Sequence, residues 1–253
     1  MRDVRFKIPH DILRVARRRW LLSALYALFI LVLSPAIQAA GETKPKPARG
    51  TQGGTAAAAD VVRCANLIYA GSKSSKCFSD KFLATTRVET NIETQANFDP
   101  VKLSKDELFE YPFSVMTGEG LFNLLEEERL NLRAYLERGG FLLASAGCSS
   151  KEWDQSFRRE IKKVFPELEL VKIPMEHKIF KTVFDVTSVR LKKSQGTASL
   201  EGLEIDGRIV LIYSPEGLND TGNAGGGCCC CGGNEVRNSQ EINVNVLTYS
   251  LTH

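Results

Sequence analysis

The chain has 253 residues, of which 43% are hydrophobic and 25% are charged, fractions close to those of ordinary globular proteins. Wholesale disorder is therefore excluded, and one large domain or two small ones are expected. The first 40 residues hold seven basic and two acidic side chains, which gives them a net charge of +5. Because the whole chain carries +3, residues 41–253 carry −2. They therefore have no excess positive charge for binding nucleic acid.

The first 40 residues have the order of a segment that enters a membrane. Residues 21–33 are apolar apart from Ser23, follow a basic cluster at 17–19, and precede the small residues Ala39 and Ala40. This order is typical of a secretory signal peptide. The apolar stretch is also about as long as the shortest membrane-spanning helix, so an uncleaved anchor is equally compatible. Under either interpretation the basic cluster stays in the cytoplasm and the remainder of the chain is translocated.

Residues 41–60 combine Pro, Gly, Lys and Ala without apolar periodicity and are predicted to be a flexible linker. Residues 61–253 are predicted to form a single domain. Apolar runs alternate there with amphipathic stretches, a pattern that favours an α/β fold with a mostly parallel sheet flanked by helices. The N-terminal hydrophobic helix would precede this domain.

The clearest elements lie in the middle of the domain. An apolar strand is expected from Phe113, a helix over about 124–138, and a second strand from Phe141. The helix should end at Gly139, because glycine tolerates the left-handed cap conformation. A second helix is expected over 151–164, since its apolar residues recur every three or four positions.

The last third of the domain contains a hairpin signal. Predicted strands over 198–205 and 208–214 flank Asp206 and Gly207, a pair typical of a type I′ turn. This hairpin is expected to end the sheet. The tail over 240–251 alternates like a strand, but its length and position favour a closing helix.

Several ordered motifs carry a resemblance to a known family. They are LFEYPFSVMTGEG at 108–120, EEERLNLRAYLERGGFLLA at 126–144, FRREIKKVFPE at 157–167, IPMEHKIF at 173–180 and DGRIVLIYSPEGL at 206–218. Together they resemble the bacterial domain of unknown function family 4159. The resemblance implies a class I glutamine amidotransferase-like, flavodoxin-like α/β sandwich behind an N-terminal signal or anchor, with no assigned activity.

Cys148 is the candidate nucleophile. It lies between a predicted strand and a predicted helix, where amidotransferase-like enzymes place theirs, and a helix N-terminus favours the thiolate. His177 is its only plausible base, because His10 lies in the leader and His253 is the last residue. No His-x-Glu pair follows, so a structural thiol and a structural histidine are the commoner interpretation.

A second candidate is the turn formed by Gly118, Glu119 and Gly120, whose backbone amides could approach a ligand. A Gly-x-Gly sequence alone is a weak signal, and the dinucleotide-binding spacing is absent. A tight turn between a strand and a helix explains the glycines equally well.

Four consecutive cysteines, Cys228, Cys229, Cys230 and Cys231, stand between glycines. Metal binding through thiolates, disulfides within the run or to Cys64, Cys77 or Cys148, and a redox-active loop all remain open. The run matches no familiar zinc spacing, because adjacent residues rarely turn all their sulfurs toward one ion.

These observations favour a cell-envelope protein that binds a ligand or partner without catalysis. Two alternatives remain: a thiol-dependent hydrolase or amidotransferase using Cys148 with His177, and a metal or redox site at the four-cysteine run. The expected partners are the membrane, through the N-terminal segment, and other envelope proteins. The expected location is the periplasmic side of the inner membrane, and the sequence identifies no cofactor.

Overall fold

The computed structural model describes residues 61–74, 77–224 and 235–253. The predicted leader and its hydrophobic helix, the linker at 41–60 and the cysteines at 228–231 lie outside these residues. Within the described part of the chain, no helix is long and apolar enough to cross a membrane.

The domain alternates strands and helices along the chain. In order, the elements are β1 (Cys64–Ile68), α1 (Lys81–Glu89), β2 (Asp99–Lys102), β3 (Phe113–Gly118), α2 (Glu126–Glu137), β4 (Phe141–Ala146), α3 (Lys151–Val164), β5 (Val171–Lys172), β6 (Val189–Arg190), β7 (Thr197–Ala198), β8 (Glu201–Ile205), β9 (Arg208–Ser214) and α4 (Ser239–Thr252). The predicted strands at Phe113 and Phe141 and the helices over 151–164 and in the tail are confirmed.

Seven strands form one sheet in the order β2-β1-β3-β4-β9-β8-β5, and β6 pairs with β7 in a separate ribbon. The five strands from β2 to β9 in this order are parallel, whereas β8 and β5 are antiparallel to their neighbours. The fold is therefore α/β with a mostly parallel sheet, as the sequence predicted.

Alternate strand residues pack on opposite faces of the sheet. On one face Leu142 and Ala144 belong to a core with Leu132 of α2 and Trp153 of α3. On the other face Phe141, Leu143 and Ile212 pack in a second core with Phe82 of α1 and Ile242 of α4. The sheet is thus covered on both sides, which explains why its strands read as continuous apolar runs.

Both ends of α3 carry residues that favour helix termini. Ser150 precedes the helix, and its hydroxyl accepts a hydrogen bond from the N–H of Trp153 at 3.3 Å. Glu152 and Asp154 lie in the first turn and basic residues lie in the last, as the helix dipole favours. The helix stops before Pro166, which cannot continue it.

The predicted turn of the hairpin is confirmed, but the prediction that the hairpin ends the sheet is wrong. Asp206 and Gly207 have φ values of +50° and +80°, as a type I′ turn requires. The hairpin of β8 and β9 does not end the sheet, because β5 pairs with β8 and forms the edge. This strand has only two residues, too few to give a period-2 pattern.

Both edges of the sheet are short. The edge strand β2 has four residues and includes Pro100, which carries no N–H. The opposite edge strand, β5, ends in the exposed Lys172.

Candidate functional site

The loops that follow β1, β3, β4 and β9 lie at one end of the sheet, because these four strands are parallel. We call this end the carboxyl edge; its loops are residues 69–74, 119–125, 147–150 and 215–220. In open α/β sheets, ligands bind at the carboxyl ends of the strands. The geometry of these loops therefore decides what a site on this fold could do.

Two glycines let the carboxyl edge pack backbone against backbone. A Cβ placed on Gly147 would lie 2.8 Å from the carbonyl oxygen of Gly118, and one on Gly217 would lie 2.7 Å from that of Ala146. Cβ atoms in real proteins essentially never approach another atom this closely. The loops after β3, β4 and β9 are consequently held together without intervening side chains.

Left-handed backbone is concentrated at the carboxyl edge. Ala70, Cys148, Ser149 and Asp220 have φ values between 49° and 55°, and among the described non-glycine residues only Asp206, in the hairpin turn, shares this conformation. Each such residue costs about 1–2 kcal/mol relative to ordinary backbone. The fold keeps this strain at the end of the sheet where α/β proteins bind ligands.

A row of hydroxyl groups lies beneath these loops. Thr117, Ser145 and Ser214 are paired in register across β3, β4 and β9, and all three are fully buried. Since residues in register point to the same face, their hydroxyls form a row on the side of the sheet covered by α1 and α4. Buried hydroxyls need hydrogen-bond partners.

Asn219 provides those partners for two of the three hydroxyls. Its amide Nδ2 donates to Thr117 Oγ1 at 2.8 Å, and its Oδ1 accepts from Ser145 Oγ at 2.5 Å. Ser145 Oγ also accepts from the N–H of Leu218 at 2.6 Å, and Ser214 Oγ accepts from that of Gly217 at 3.1 Å. The hydroxyl row thus fixes the loop after β9 rather than facing solvent.

Carboxylates outnumber cations on the α3 side of the carboxyl edge. Arg158 is already paired with Asp154 at 2.7 Å and, through two nitrogens, with Glu201 at 2.7 and 2.8 Å. Burial raises the pKa of Glu216, and the nearby Glu201 and Asp154 raise it further, against the lowering by a backbone hydrogen bond and by Arg158. Glu216 Oε2 is buried without a hydrogen-bond partner among the described residues.

Two more buried acids lie on the other side of the carboxyl edge. The carboxylate of Glu235, whose side chain is 4% exposed, pairs with Lys192 Nζ at 3.1 Å and accepts from the hydroxyl of Thr221 at 2.6 Å. Burial raises the pKa of the neighbouring Asp220. These contacts fix the chain at residues 220–221 to the chain at residue 235.

Cys148 lies at the carboxyl edge as the sequence predicted, but its surroundings do not suit a nucleophile. It is disulfide-bonded, and its sulfur lies 3.2 Å from Oε1 of Glu119. A sulfur held in a disulfide has no thiol to ionise and is not a nucleophile until the disulfide is reduced. The next residue, Ser149, donates its hydroxyl to the carbonyl of Glu216 at 2.7 Å.

The structure does not bring His177 near Cys148. The ring of His177 packs on Tyr249, with centroids 5.6 Å apart, and Tyr249 packs on Phe141, the first residue of β4. Cys148 lies two residues beyond the other end of that six-residue strand, which spans roughly 16–20 Å. The two residues therefore lie at opposite ends of the sheet and form no catalytic pair.

The predicted turn at Gly118, Glu119 and Gly120 joins β3 to the loop before α2. Gly118 is buried as the last residue of β3, and Gly120 has a φ of +69°. The N–H of Gly120 donates to Ser150 Oγ at 3.1 Å, so this amide is already used within the protein. The local structure therefore explains both glycines, and Glu119 is the exposed residue of the turn.

The predicted site at Cys228, Cys229, Cys230 and Cys231 lies outside the described residues. Within the part of the chain that the structure describes, no group of three or more His, Cys, Asp or Glu side chains is arranged to hold a metal ion.

Sequence reasoning did not select Asn219 or Glu216. A signal for the hydroxyl row was present, since each of three apolar strands has Ser or Thr as its last or second-last residue, at Thr117, Ser145 and Ser214. Asn219 gave no such signal, because an asparagine in a loop is ordinary and its burial depends on the packing of three strands.

The chain belongs to the family described as a domain of unknown function, DUF4159, whose model matches residues 63–251. That match covers most of the chain and all of the carboxyl edge. A search of curated proteins finds no match.

Proposed function

We propose that this domain is a non-catalytic binding module that holds a ligand or partner protein at its carboxyl edge. The observation that carries the proposal is the concentration of left-handed backbone at Ala70, Cys148, Ser149 and Asp220. Such strain persists only where the surrounding structure imposes it, and it collects at sites that bind or react.

The buried contacts beneath the carboxyl edge support a rigid binding surface. Asn219 and the hydroxyl row fix the loop after β9, and close glycine contacts join it to the loops after β3 and β4. A surface that is fixed before binding loses less conformational entropy when it binds. The amidotransferase-like scaffold that the sequence resembles would then serve as a support for recognition.

The chemistry of the carboxyl edge favours recognition over catalysis. Cys148 is disulfide-bonded beside a carboxylate, and the candidate base His177 lies at the other end of the sheet. General-base activation of a thiol needs the two groups within hydrogen-bond reach. The exposed carboxylate of Glu119 and the partly buried one of Glu216 instead suit a ligand or partner that offers cationic or N–H groups.

The leader sequence supports a location outside the cytoplasm. Its basic cluster and apolar run would deliver the domain to the periplasmic side of the inner membrane, either anchored or released. Other cell-envelope proteins would then be the available partners.

Site-directed photocrosslinking in intact cells tests the proposed surface. A photoreactive amino acid at position 119 probes the carboxyl edge, and the same residue at position 88, near the end of α1, is the matched control because Val88 is 80% exposed. We expect a discrete crosslinked species from position 119 alone. Equal crosslinking from both positions, or none from position 119, would contradict the proposal.

A glutamine analogue that alkylates nucleophilic cysteines tests the enzymatic alternative. We expect no modification of Cys148, with or without reductant, and no release of ammonia from glutamine. Modification that depends on Cys148, together with glutamine hydrolysis abolished by Cys148→Ala, would replace the binding proposal with a thiol enzyme.

A further inference from the structure

A pocket of about 400 Å³ lies at the other end of the sheet, away from the carboxyl edge. Its walls are mainly apolar and include Leu168, Ile173 and Ile209, while Gly202 on β8 forms part of its floor. A pocket of this volume matches the lower range of small-ligand sites. Nothing in the proposed binding surface uses it.

The charged groups around this pocket are mostly acidic. Glu167 and Glu169 line it, but they are engaged elsewhere, by Arg133 at 2.6 Å and by Lys162 at 3.7 Å respectively. Glu204 also lines the pocket; it is exposed and makes no ion pair among the described residues. A carboxylate without an ion pair therefore stands beside an apolar cavity that Lys172 also lines.

The ring of His177 also lines this pocket. Its Nδ1 accepts from the N–H of Ile179 at 3.2 Å, so in the neutral ring the proton is on Nε2. Burial lowers the pKa of His177, the nearby Lys178 lowers it further, and Glu204 opposes this. These effects favour the neutral form of His177, which has no charge to compensate Glu204.

We propose that this pocket binds an ammonium group carried on an apolar chain, with the chain against Ile173 and Ile209 and the ammonium beside Glu204. An anion of the same shape would meet Glu204 and its acidic neighbours, and Lys172 is the one cationic side chain among the described residues that line the pocket. The ligand is either a free alkylamine or a lysine side chain on a partner, because the two share this chemistry.

The first test is calorimetric titration of the purified full-length protein with hexylammonium, hexanol and hexanoate. We expect saturable binding of the amine, weaker binding of the alcohol and none of the acid. Glu204→Gln should weaken binding of the amine about fivefold, whereas Glu176→Gln should leave it unchanged because this exposed carboxylate does not line the pocket. Equal binding of amine and acid, or no binding of the amine, would overturn the proposal.

The second test uses the titration of His177. The titratable groups near its ring are Glu204, Lys178 and His253, and Tyr249 packs on the ring. The other charged residues that line the pocket are Glu167, Glu169 and Lys172. A bound ammonium adds a positive charge and must lower the pKa of His177, and by linkage acidification must weaken binding of the amine. Histidine resonances followed by NMR with and without hexylammonium measure both effects. An unchanged His177 titration at saturating amine would place the amine elsewhere.

A third measurement separates the two sources of the ligand. The same titration with a short capped peptide carrying one lysine compares a side chain with the free amine. Tighter binding of the peptide would identify a partner's lysine, and tighter binding of the amine would identify a small molecule. If neither the peptide nor the free amine binds, the pocket proposal is overturned, and the photocrosslinking result at the carboxyl edge is unaffected.

Discussion

Glu160 shows how single residues stabilise this domain. Its side chain on α3 is 1% exposed, and its carboxylate pairs with Arg129 at 3.0 Å and with Lys163 at 2.8 Å. Burial by itself would raise the pKa of Glu160, but the hydrogen bonds from Lys163 and Arg129 outweigh it and hold the pKa below its usual range. A buried carboxylate of this kind is stable only while its cations remain in place.

We expect Glu160→Ala to lower the free energy of unfolding by about 1–3 kcal/mol, because it removes the buried acceptor shared by Arg129 and Lys163, while Arg129 keeps its ion pair with Glu126. Urea denaturation measures the loss. Glu169→Gln is the control, since Glu169 is 80% exposed and its pair with Lys162 is long at 3.7 Å; a change below about 0.5 kcal/mol is expected there.

The same residue gives a pH prediction. Because the folded pKa of Glu160 lies below the unfolded value, its ionisation stabilises the protein above the ordinary carboxyl pKa, and this contribution is lost as pH falls through the lowered pKa. The difference in stability between the wild type and Glu160→Gln should therefore be full at pH 7 and shrink below about pH 4. A difference that stays constant down to pH 3 would contradict the lowered pKa.

Asn219 is the residue on which the carboxyl edge depends. We expect Asn219→Ala to cost about 2–4 kcal/mol, because it removes partners from two buried hydroxyls, Thr117 and Ser145. Thermal unfolding measures the loss, and the exposed Asn97→Ala should change little. Photocrosslinking from position 119 should weaken together with stability; if stability falls and crosslinking is unaffected, Asn219 does not shape the surface.

At the scale of elements, the approach of β3 to β4 depends on a glycine. A Cβ on Gly147 would lie 2.8 Å from the backbone oxygen of Gly118, and a backbone atom cannot move aside as a flexible side chain can. We expect Gly147→Ala to destabilise the protein by about 1–3 kcal/mol in denaturant unfolding. Gly222→Ala is the matched control, since no atom lies within 4 Å of its Cβ position. Equal effects at both positions would show that the β3 and β4 ends can separate.

Elements with strong local signals were predictable from the sequence. The helix α3 combines a serine cap, an apolar stripe from Trp153 to Val164 and a following proline, so its bounds follow from the sequence alone. The type I′ turn at Asp206 and Gly207 is equally local. The edge strand β5 was missed because two residues carry no periodicity and their pairing with β8 depends on distant chain segments.

The candidate site was less predictable than the fold. The position of Cys148 after a buried strand was correct, but its contact with Glu119 and its distance from His177 depend on the order of strands in the sheet. The network of Asn219 joins residues more than 70 positions apart in the chain. Single-sequence patterns report local structure and cannot measure such contacts.

At the scale of the whole molecule, both faces of one sheet carry a core, so the helices on the two faces should unfold together. A protein that begins at residue 61 retains Trp153 as its single tryptophan, which lies in the core on the α3 face. We expect its fluorescence and the far-ultraviolet circular dichroism to report the same urea midpoint. Separate midpoints would show that the α1 and α4 face melts independently.

The two edges of the sheet have a consequence for how copies of this protein behave toward one another. A free strand edge offers unpaired N–H and C=O groups to a neighbouring chain and so promotes aggregation. Here one edge includes Pro100, which cannot donate, and the other is two residues long and ends in the charged Lys172. Strands of other molecules therefore add poorly to this sheet. The folded domain consequently resists aggregation at high local concentration.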